Sequence, residues 1–189
     1  MTISREQFID EVGKIEPATY DFYLSGRFDP FPFPDDKEIA LILLADTTTA
    51  PFILRLFNEE IRNDIEVVMK AISLRGTCLA ILNKDSQDNV DIVSKAVAER
   101  GISLCYSSDR IRDNLEIVRI AITDGIFTLA RSDIDILIYE IVLMSSPRIQ
   151  NLLGDSDHLN RLDKLLLKEK LELEAKVKVD EKKVLREKI

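Results

Sequence analysis

Apolar residues recur along the middle of the chain with a period of 25 residues. The stretch IRNDIEVV at 61–68 returns as SQDNVDIV at 86–93 and as IRDNLEIV at 111–118. Apolar pairs, single leucines and single alanines keep this step; they are Ile42-Leu43, Val67-Val68, Ile92-Val93, Ile117-Val118 and Val142-Leu143, then Leu54, Leu79, Leu104 and Leu129, then Ala71, Ala96 and Ala121. A period of about 20 to 50 residues is typical of repeat architectures, so the pattern predicts an array of stacked units.

Each repeat carries signals for the start and the end of a helix. The predicted N-caps are Asn63, Asp88 and Asp113, each followed three residues later by an acid, as in a capping box. Arg75 and Arg100 come about twelve residues after these caps, where a basic side chain suits the helix dipole. We expect the next residues, Gly76 and Gly101, to close the helix in the left-handed conformation.

A second, shorter helix is predicted after each glycine, because TCLAILN and ISLCYSS carry apolar residues at helical spacing. A single helical pair cannot bury its apolar face alone and must stack on its neighbours. We therefore predict an all-α fold, a short α-solenoid of 25-residue helix-turn-helix repeats spanning residues 36–150. The units lie at about 36–61, 61–86, 86–111 and 111–136, and a helix from Asp133 to Met144 begins a degraded fifth.

Residues 1–35 are predicted to form N-terminal helices and an aromatic, proline-rich arm that cap the array. Ser4 and Gln7 form a capping box for an amphipathic helix that ends at about Gly13. ATYDFYLS, between Pro17 and Gly26, predicts a second helix.

The aromatic arm is the segment RFDPFPFPDD, in which prolines alternate with Phe28, Phe31 and Phe33. One interpretation places these rings against the apolar face of the first repeat, at Ile39, Ile42 and Leu43. The other interpretation is an exposed docking surface, which makes Phe28, Phe31 and Phe33 the candidate partner-binding residues.

Residues 151–189 are predicted to form a charged C-terminal helix. LELEAKVKV alternates as a strand would, but Glu172 with Lys176 and Glu174 with Lys178 pair at helical spacing. The sequence leaves open whether this helix docks on the array or stays free as a coil that binds a partner.

Composition limits the classes of partner and the cellular compartments that are expected for the protein. The net charge is −8 without a basic stripe, which argues against a nucleic-acid partner. No apolar run approaches the roughly 18 residues of a membrane helix, and the first residues lack the apolar core of a secretory signal. Cys78 and Cys105 are then expected to be reduced thiols of a cytoplasmic protein.

Candidate catalytic chemistry is weak, and we expect no catalytic, cofactor-binding or metal-binding residue. The single histidine, His158, has no second His or Cys at zinc spacing, and no Gly-rich loop leads to a Lys-Ser or Lys-Thr pair. Cys105 shares its repeat position with Ala80 and Ala130, and Cys78 shares its own with Ser103 and Thr128, as small packing residues do.

The runs IRNDIEVVMKAISLRGTCL, VDIVSKAVAERGISLCYSS and IRDNLEIVRIAI, over about 61–136, resemble the tandem helical repeats of the family called domain of unknown function 4116. Ser86-Gln87 replaces an isoleucine-arginine pair, and Gly125 comes one residue early, so those two turns are expected to differ in geometry. The resemblance implies an interaction module without a catalytic residue. It also implies the setting of such arrays, which are found especially in effector-type proteins of intracellular bacteria and in protists.

From these observations we expect a non-catalytic scaffold that binds an unidentified protein partner through its repeats. As an extension, the resemblance implies a bacterial effector that acts in a host cytosol after secretion without a cleavable signal peptide. The alternatives are a helical-repeat nucleic-acid binder, which the acidic charge disfavours, and an enzyme with its site at one end of the array.

Overall fold

In a computed structural model of the protein, residues 3–16, 30–45, 50–123, 134–154, 160–165 and 167–168 are described, with the backbone alone at 134–137 and 139. Every regular element in these ranges is a helix. The α-helices are α1 (Arg5–Val12), α2 (Lys37–Leu43), α3 (Ala50–Leu56), α4 (Glu59–Arg62), α5 (Ile65–Leu74), α6 (Lys84–Gln87), α7 (Val90–Glu99), α8 (Asp109–Arg112), α9 (Leu115–Thr123), α10 (Ile134–Met144) and α11 (Pro147–Leu153). Two 3₁₀ helices, η1 (Gly76–Ile81) and η2 (Gly101–Tyr106), follow α5 and α7. The predicted all-α class is confirmed.

Helix α1 begins as its sequence predicts. The Gln7 backbone N–H donates to Ser4 Oγ at 3.2 Å, and the Ser4 N–H donates to Gln7 Oε1 at 3.1 Å, which completes the capping box. Phe8 and Val12 lie buried on one face, and the helix ends at Gly13. The helix predicted between Pro17 and Gly26 lies outside the described residues.

The repeating unit has three helices where two were expected. A ten-residue α-helix, α5 or α7, leads to a six-residue 3₁₀ helix and then to a four-residue α-helix, α6 or α8. Asn83 and Ser108 follow the 3₁₀ helices closely and open the next helix with their own side chains. Runs of 3₁₀ helix are short and often serve as connectors between α-helices, as here.

The predicted N-caps are wrong by one residue. The caps of the long helices are Asp64, Asn89 and Asn114, whose side-chain oxygens accept the N–H groups two and three residues further on, as in the 3.0 and 3.3 Å bonds to Asp64. Asn63, Asp88 and Asp113 instead end the four-residue helices before them. Two cap-forming residues stand side by side in every unit, and the tight turn between helices gives the second one the capping role.

The predicted role of Gly76 and Gly101 is also wrong. Neither has a positive φ; among the described glycines only Gly154 does, at 64°. Their neighbours explain the residue type: a Cβ on Gly76 would lie 2.1 Å from the Ala96 carbonyl oxygen, and a Cβ on Gly101 would lie 2.4 Å from that of Ala121. The glycines therefore allow one unit to approach the backbone of the next.

Consecutive units pack like with like. α5 lies against α7, α7 against α9, and η1 against η2. In the first unit α2 packs on α5, and α3 packs on η1, so these helices occupy the two equivalent places. Leu54, Leu79 and Leu104 are fully buried, as the period predicts. Leu129 lies outside the described residues, and Leu143 departs from the pattern because its side chain is 52% exposed.

The substitution of Ser86-Gln87 for isoleucine-arginine leaves the local helix in place. α6 has the same length as α4 and α8, and the Gln87 side-chain amide donates to the carbonyl oxygens of Leu79 and Leu82 at 3.1 and 3.2 Å. The expected change of geometry at this junction is therefore absent. Gly125 lies outside the described residues.

The last repeat differs from the others in its length. α10 packs on η2 and on α9. In the earlier units a 3₁₀ helix makes the corresponding contacts, as η2 does with η1 and α7. Ser108 follows its partner Asp88 by 20 residues, whereas Ser146 follows the equivalent partner Asp113 by 33. That α10 begins a degraded fifth unit stays a prediction, because residues 124–133, which precede it, lie outside the described residues.

Candidate interaction surface

Two neighbouring joints of the array are closed by an aspartate, a serine and an arginine. Asp88 accepts a hydrogen bond from Ser108 Oγ, and Arg110 Nε lies 3.1 Å from its carboxylate. The Arg110 guanidinium also donates to the Asp88 backbone carbonyl at 2.5 Å. Because Asp88 ends one short helix and Ser108 opens the next, these bonds join consecutive units.

Asp113, Ser146 and Arg148 repeat this arrangement one unit later. Arg148 Nε lies 2.8 Å from the Asp113 carboxylate, and its terminal nitrogen donates to the Asp113 carbonyl at 2.8 Å. At the joint before these two, the Asn83 N–H donates to Asn63 Oδ1 at 3.3 Å. Both Asp-Ser-Arg clusters, called clasps below, draw their serine and arginine from the pattern Ser-x-Arg at 108–110 and 146–148. The same pattern at 73–75 forms no clasp, because Ser73 Oγ donates to the Lys70 carbonyl instead.

Both clasps lower the pKa of their aspartate. For Asp88 the causes are the hydrogen bond from Ser108 and then that from Arg110; for Asp113 they are Arg148 and then Ser146. A carboxyl group whose folded pKa lies below its unfolded value stabilises the fold above the unfolded pKa, and this stabilisation is lost as the pH falls through the folded value.

We expect the double variant Asp88→Asn/Asp113→Asn to lose less stability in acid than the wild type. The free energy of unfolding of the wild type should fall progressively below about pH 4, the ordinary pKa of aspartate, because the carboxylates of Asp88 and Asp113 become protonated. Urea unfolding at a series of pH values measures this slope. The control Asp85→Asn, an exposed residue of α6 without an ion pair among the described residues, should follow the wild type. Parallel pH profiles for the double variant and the wild type would contradict the role of the clasps.

The N-terminal segment is tied to the array by charges. Arg5 Nε lies 2.5 Å from Asp36, the N-cap of α2, and Arg5 also pairs with Glu38. The hydrogen bond from Arg5 is the main cause that lowers the pKa of Asp36. Lys37 Nζ lies 2.9 Å from both Asp64 and Glu66, which links α2 to the start of α5.

Of the three candidate partner-binding residues, two lie in an aromatic cluster. The centroid of the Phe31 ring is 5.7 Å from that of Phe8 and 5.2 Å from that of Phe57, and the Phe33 ring is 5.2 Å from Phe8, all edge to face. Phe31 and Phe33 are half-buried, while Phe8 and Phe57 are buried. Phe28 lies outside the described residues. These ring contacts join the aromatic arm to α1 and to the residue that follows α3.

Replacing Phe31 and Phe33 together by serine is expected to lower the melting temperature and to expose residues near the N-terminus to protease. Full burial of one such ring contributes roughly 1.5 to 3 kcal/mol, and half-buried rings contribute less. Thermal unfolding and limited proteolysis measure the two effects, with Asp35→Ser, an exposed residue of the same segment, as the control. If the protein melts as before and yet no longer retains a partner, the docking-surface interpretation is favoured.

The two thiols are poor nucleophiles where they lie. Burial raises the pKa of Cys78 to about 12, and burial likewise raises the pKa of Cys105. Both side chains therefore remain protonated at neutral pH, and they react poorly because the thiolate is the reactive form. His158 lies outside the described residues, and within the described ranges no group of three His, Cys, Asp or Glu side chains could hold a metal ion.

The outer face of the long helices carries charged residues, and the first turn of α5 and of α7 also exposes an apolar side chain. Lys70 and Lys95 are exposed at equivalent positions, while Arg119 is half-exposed and lies 3.0 Å from Glu116. Ile65 and Val90, the first residues of α5 and α7, are 60% and 41% exposed. Within the described residues, no helix is both long enough and apolar enough to cross a membrane.

The extent of the repeats can be compared with known families. Residues 36–85 match the domain of unknown function 4116. This confirms the resemblance seen in the sequence, and the match reaches a unit earlier than the motifs that carry the resemblance, which begin at residue 61. The matched region runs from the N-cap of α2 into α6, about two of the 25-residue units, and ends before residues 86–136. No curated protein and no solved structure matches the chain.

Proposed function

We propose that the chain is a non-catalytic scaffold, a short α-solenoid that binds another protein along its repeats. The proposal rests chiefly on one observation: α5, α7 and α9 pack side by side, as do η1 and η2. Equivalent positions of neighbouring units therefore lie next to each other on the surface. Such a surface can hold a partner at several units at once, which is how repeat arrays bind.

Local chemistry supports binding over catalysis. The thiols of Cys78 and Cys105 have raised pKa values that keep them protonated, and the aspartates with lowered pKa values, such as Asp88 and Asp113, serve as joints between units. The pKa shifts of these groups have a structural explanation, because the thiols are wholly or partly buried and the aspartates are held in ion pairs between helices.

We extend the proposal to an effector-type protein that acts in a host cytosol, the setting that the family resemblance implies. The free thiols of Cys78, which is buried, and Cys105, which is half-buried, are compatible with a reducing compartment. The aromatic arm with Phe28, Phe31 and Phe33 belongs to the proposal as a cap of the array, and it is the second place where a partner could dock.

The test is a capture experiment followed by a direct titration. The full chain is immobilised, incubated with host-cell cytosol with and without nuclease, and the retained proteins are identified. Each candidate is then purified and titrated in solution against the full chain. We expect at least one protein that binds saturably and with fixed stoichiometry. Retention that disappears after nuclease treatment would favour the nucleic-acid alternative, and the absence of any saturable protein would contradict the proposal.

A further inference from the structure

Two large apolar side chains are exposed at the same position of consecutive units. Ile65 and Val90 are each the first residue of a long helix, and they are 60% and 41% exposed. Neither side chain is needed for capping, because Asp64 and Asn89 cap these helices with their own oxygens. A β-branched residue is not favoured at an exposed helical position by propensity either. Local structure therefore does not explain this pair.

The next unit shows what the position can do. Leu115 is the equivalent first residue of α9, and its side chain is only 3% exposed within the single chain. The protein thus covers this position with its own residues in one unit and leaves it open in the two units before. An apolar residue at this place can therefore be buried against other residues.

The open pair lies on an acidic edge. Glu66 and Asp91 follow Ile65 and Val90 directly and are exposed, and the short helices α4 and α6 add further exposed carboxylates. These are Glu59, Glu60 and Asp85; the same two helices also carry the basic residues Arg62 and Lys84, so acidic side chains outnumber basic ones along this edge. Glu66 shares Lys37 with Asp64, whereas Asp91, Glu59, Glu60 and Asp85 make no ion pair within the described ranges. The charges around the apolar pair therefore favour a cationic partner.

The expected spacing of the two positions suits a helical segment. α5 and α7 pack directly on each other, and packed helices lie about 8 to 10 Å apart. Residues seven apart on one face of a helix are separated by about 10 Å along its axis. One helix laid across the two starts can therefore place an apolar side chain on Ile65 and another on Val90.

We infer that Ile65, Val90 and the carboxylates around them form a docking site for a cationic amphipathic helix of a partner protein. The partner helix carries two apolar residues about seven positions apart, with lysine or arginine flanking them. This inference rests on the proposed function and names the chemistry of the partner.

A designed peptide tests the site directly. The probe is a fluorescent helix with two leucines about seven residues apart on one face and lysines beside them, and its control is a scrambled peptide of the same composition. Fluorescence anisotropy measures the Kd of each peptide for the full chain. We expect the Ile65→Ser/Val90→Ser variant to bind the probe roughly tenfold more weakly than the wild type. The matched control Lys70→Arg/Lys95→Arg changes the exposed face of the same helices without changing its charge and should bind as the wild type does.

Because both replaced side chains are exposed, the double variant should keep the melting temperature of the wild type. Equal binding of the scrambled peptide, or unchanged binding by the double variant, would overturn the inference. A dimer of the free chain that dissociates in the double variant would also overturn it, because the edge would then serve a second copy. If a natural partner is captured and the double variant retains it fully, the scaffold proposal holds and this site is wrong. If no protein is captured, the scaffold proposal itself fails.

Discussion

Replacing Gly76 by alanine is expected to destabilise the protein by about 3 kcal/mol or more. The new Cβ would lie 2.1 Å from the Ala96 carbonyl oxygen and 2.9 Å from Ser103 Oγ. The first of these neighbours is backbone, so no side-chain rotation can remove the clash. Relief requires η1 and α7 to move apart, which opens the packing between two units.

Equilibrium unfolding in urea measures the effect of Gly76→Ala, and Gly13→Ala is the matched control. Gly13 is exposed with φ −62°, and a Cβ added to it would have no neighbour closer than 3.3 Å. The control should therefore change stability by about 0.5 kcal/mol at most, since a helical φ suits alanine. A cost below about 1 kcal/mol for Gly76→Ala would mean that the units pack less closely than these distances require.

The second large effect is expected for Leu104→Ala, at roughly 2 to 5 kcal/mol. Leu104 lies in η2 with no exposed surface, and η2 contacts η1, α7, α9 and α10. Its truncation leaves a cavity at a point where several helices meet, and helices of this size cannot move to fill it without losing other contacts. Because each unit depends on its neighbours, the loss should lower the stability of the whole array.

Urea unfolding followed by circular dichroism measures the free energy of unfolding of Leu104→Ala, with Lys95→Ala as an exposed control on α7 that should stay within about 0.5 kcal/mol. A change below about 1 kcal/mol for Leu104 would show that its inward position is wrong. A transition that splits into two steps would indicate that the units on either side of η2 unfold separately.

The 25-residue period predicted the core well because burial depends on side-chain type, which the sequence displays. Leu54, Leu79 and Leu104 are buried for this reason. The caps were displaced by one residue because two capping side chains stand together in each unit, such as Asn63 and Asp64, and only the path of the backbone decides between them.

The contacts between units could not be predicted from the sequence, for a different reason. Gly76 follows Arg75 at a helix end, which is equally compatible with a left-handed turn and with a close approach. The approach of Ala96 decides between them, and it depends on the neighbouring unit. The candidate site was also only partly predictable. The sequence showed Phe31 and Phe33 as candidates, whereas the exposure of Ile65 depends on what covers the start of α5.

The contact between a glycine and the following unit has a consequence for how such proteins change in length. Gly76 meets Ala96 and Gly101 meets Ala121, so two consecutive junctions are made by the same contact between a glycine and an alanine carbonyl. Removing residues 86–110, one full period, would bring the Ala121 segment to the place where Gly76 now meets Ala96. Duplication of one period would add a unit with matching surfaces on both sides. The array could therefore gain or lose a middle unit and keep the contact between glycine and alanine carbonyl at the new junction.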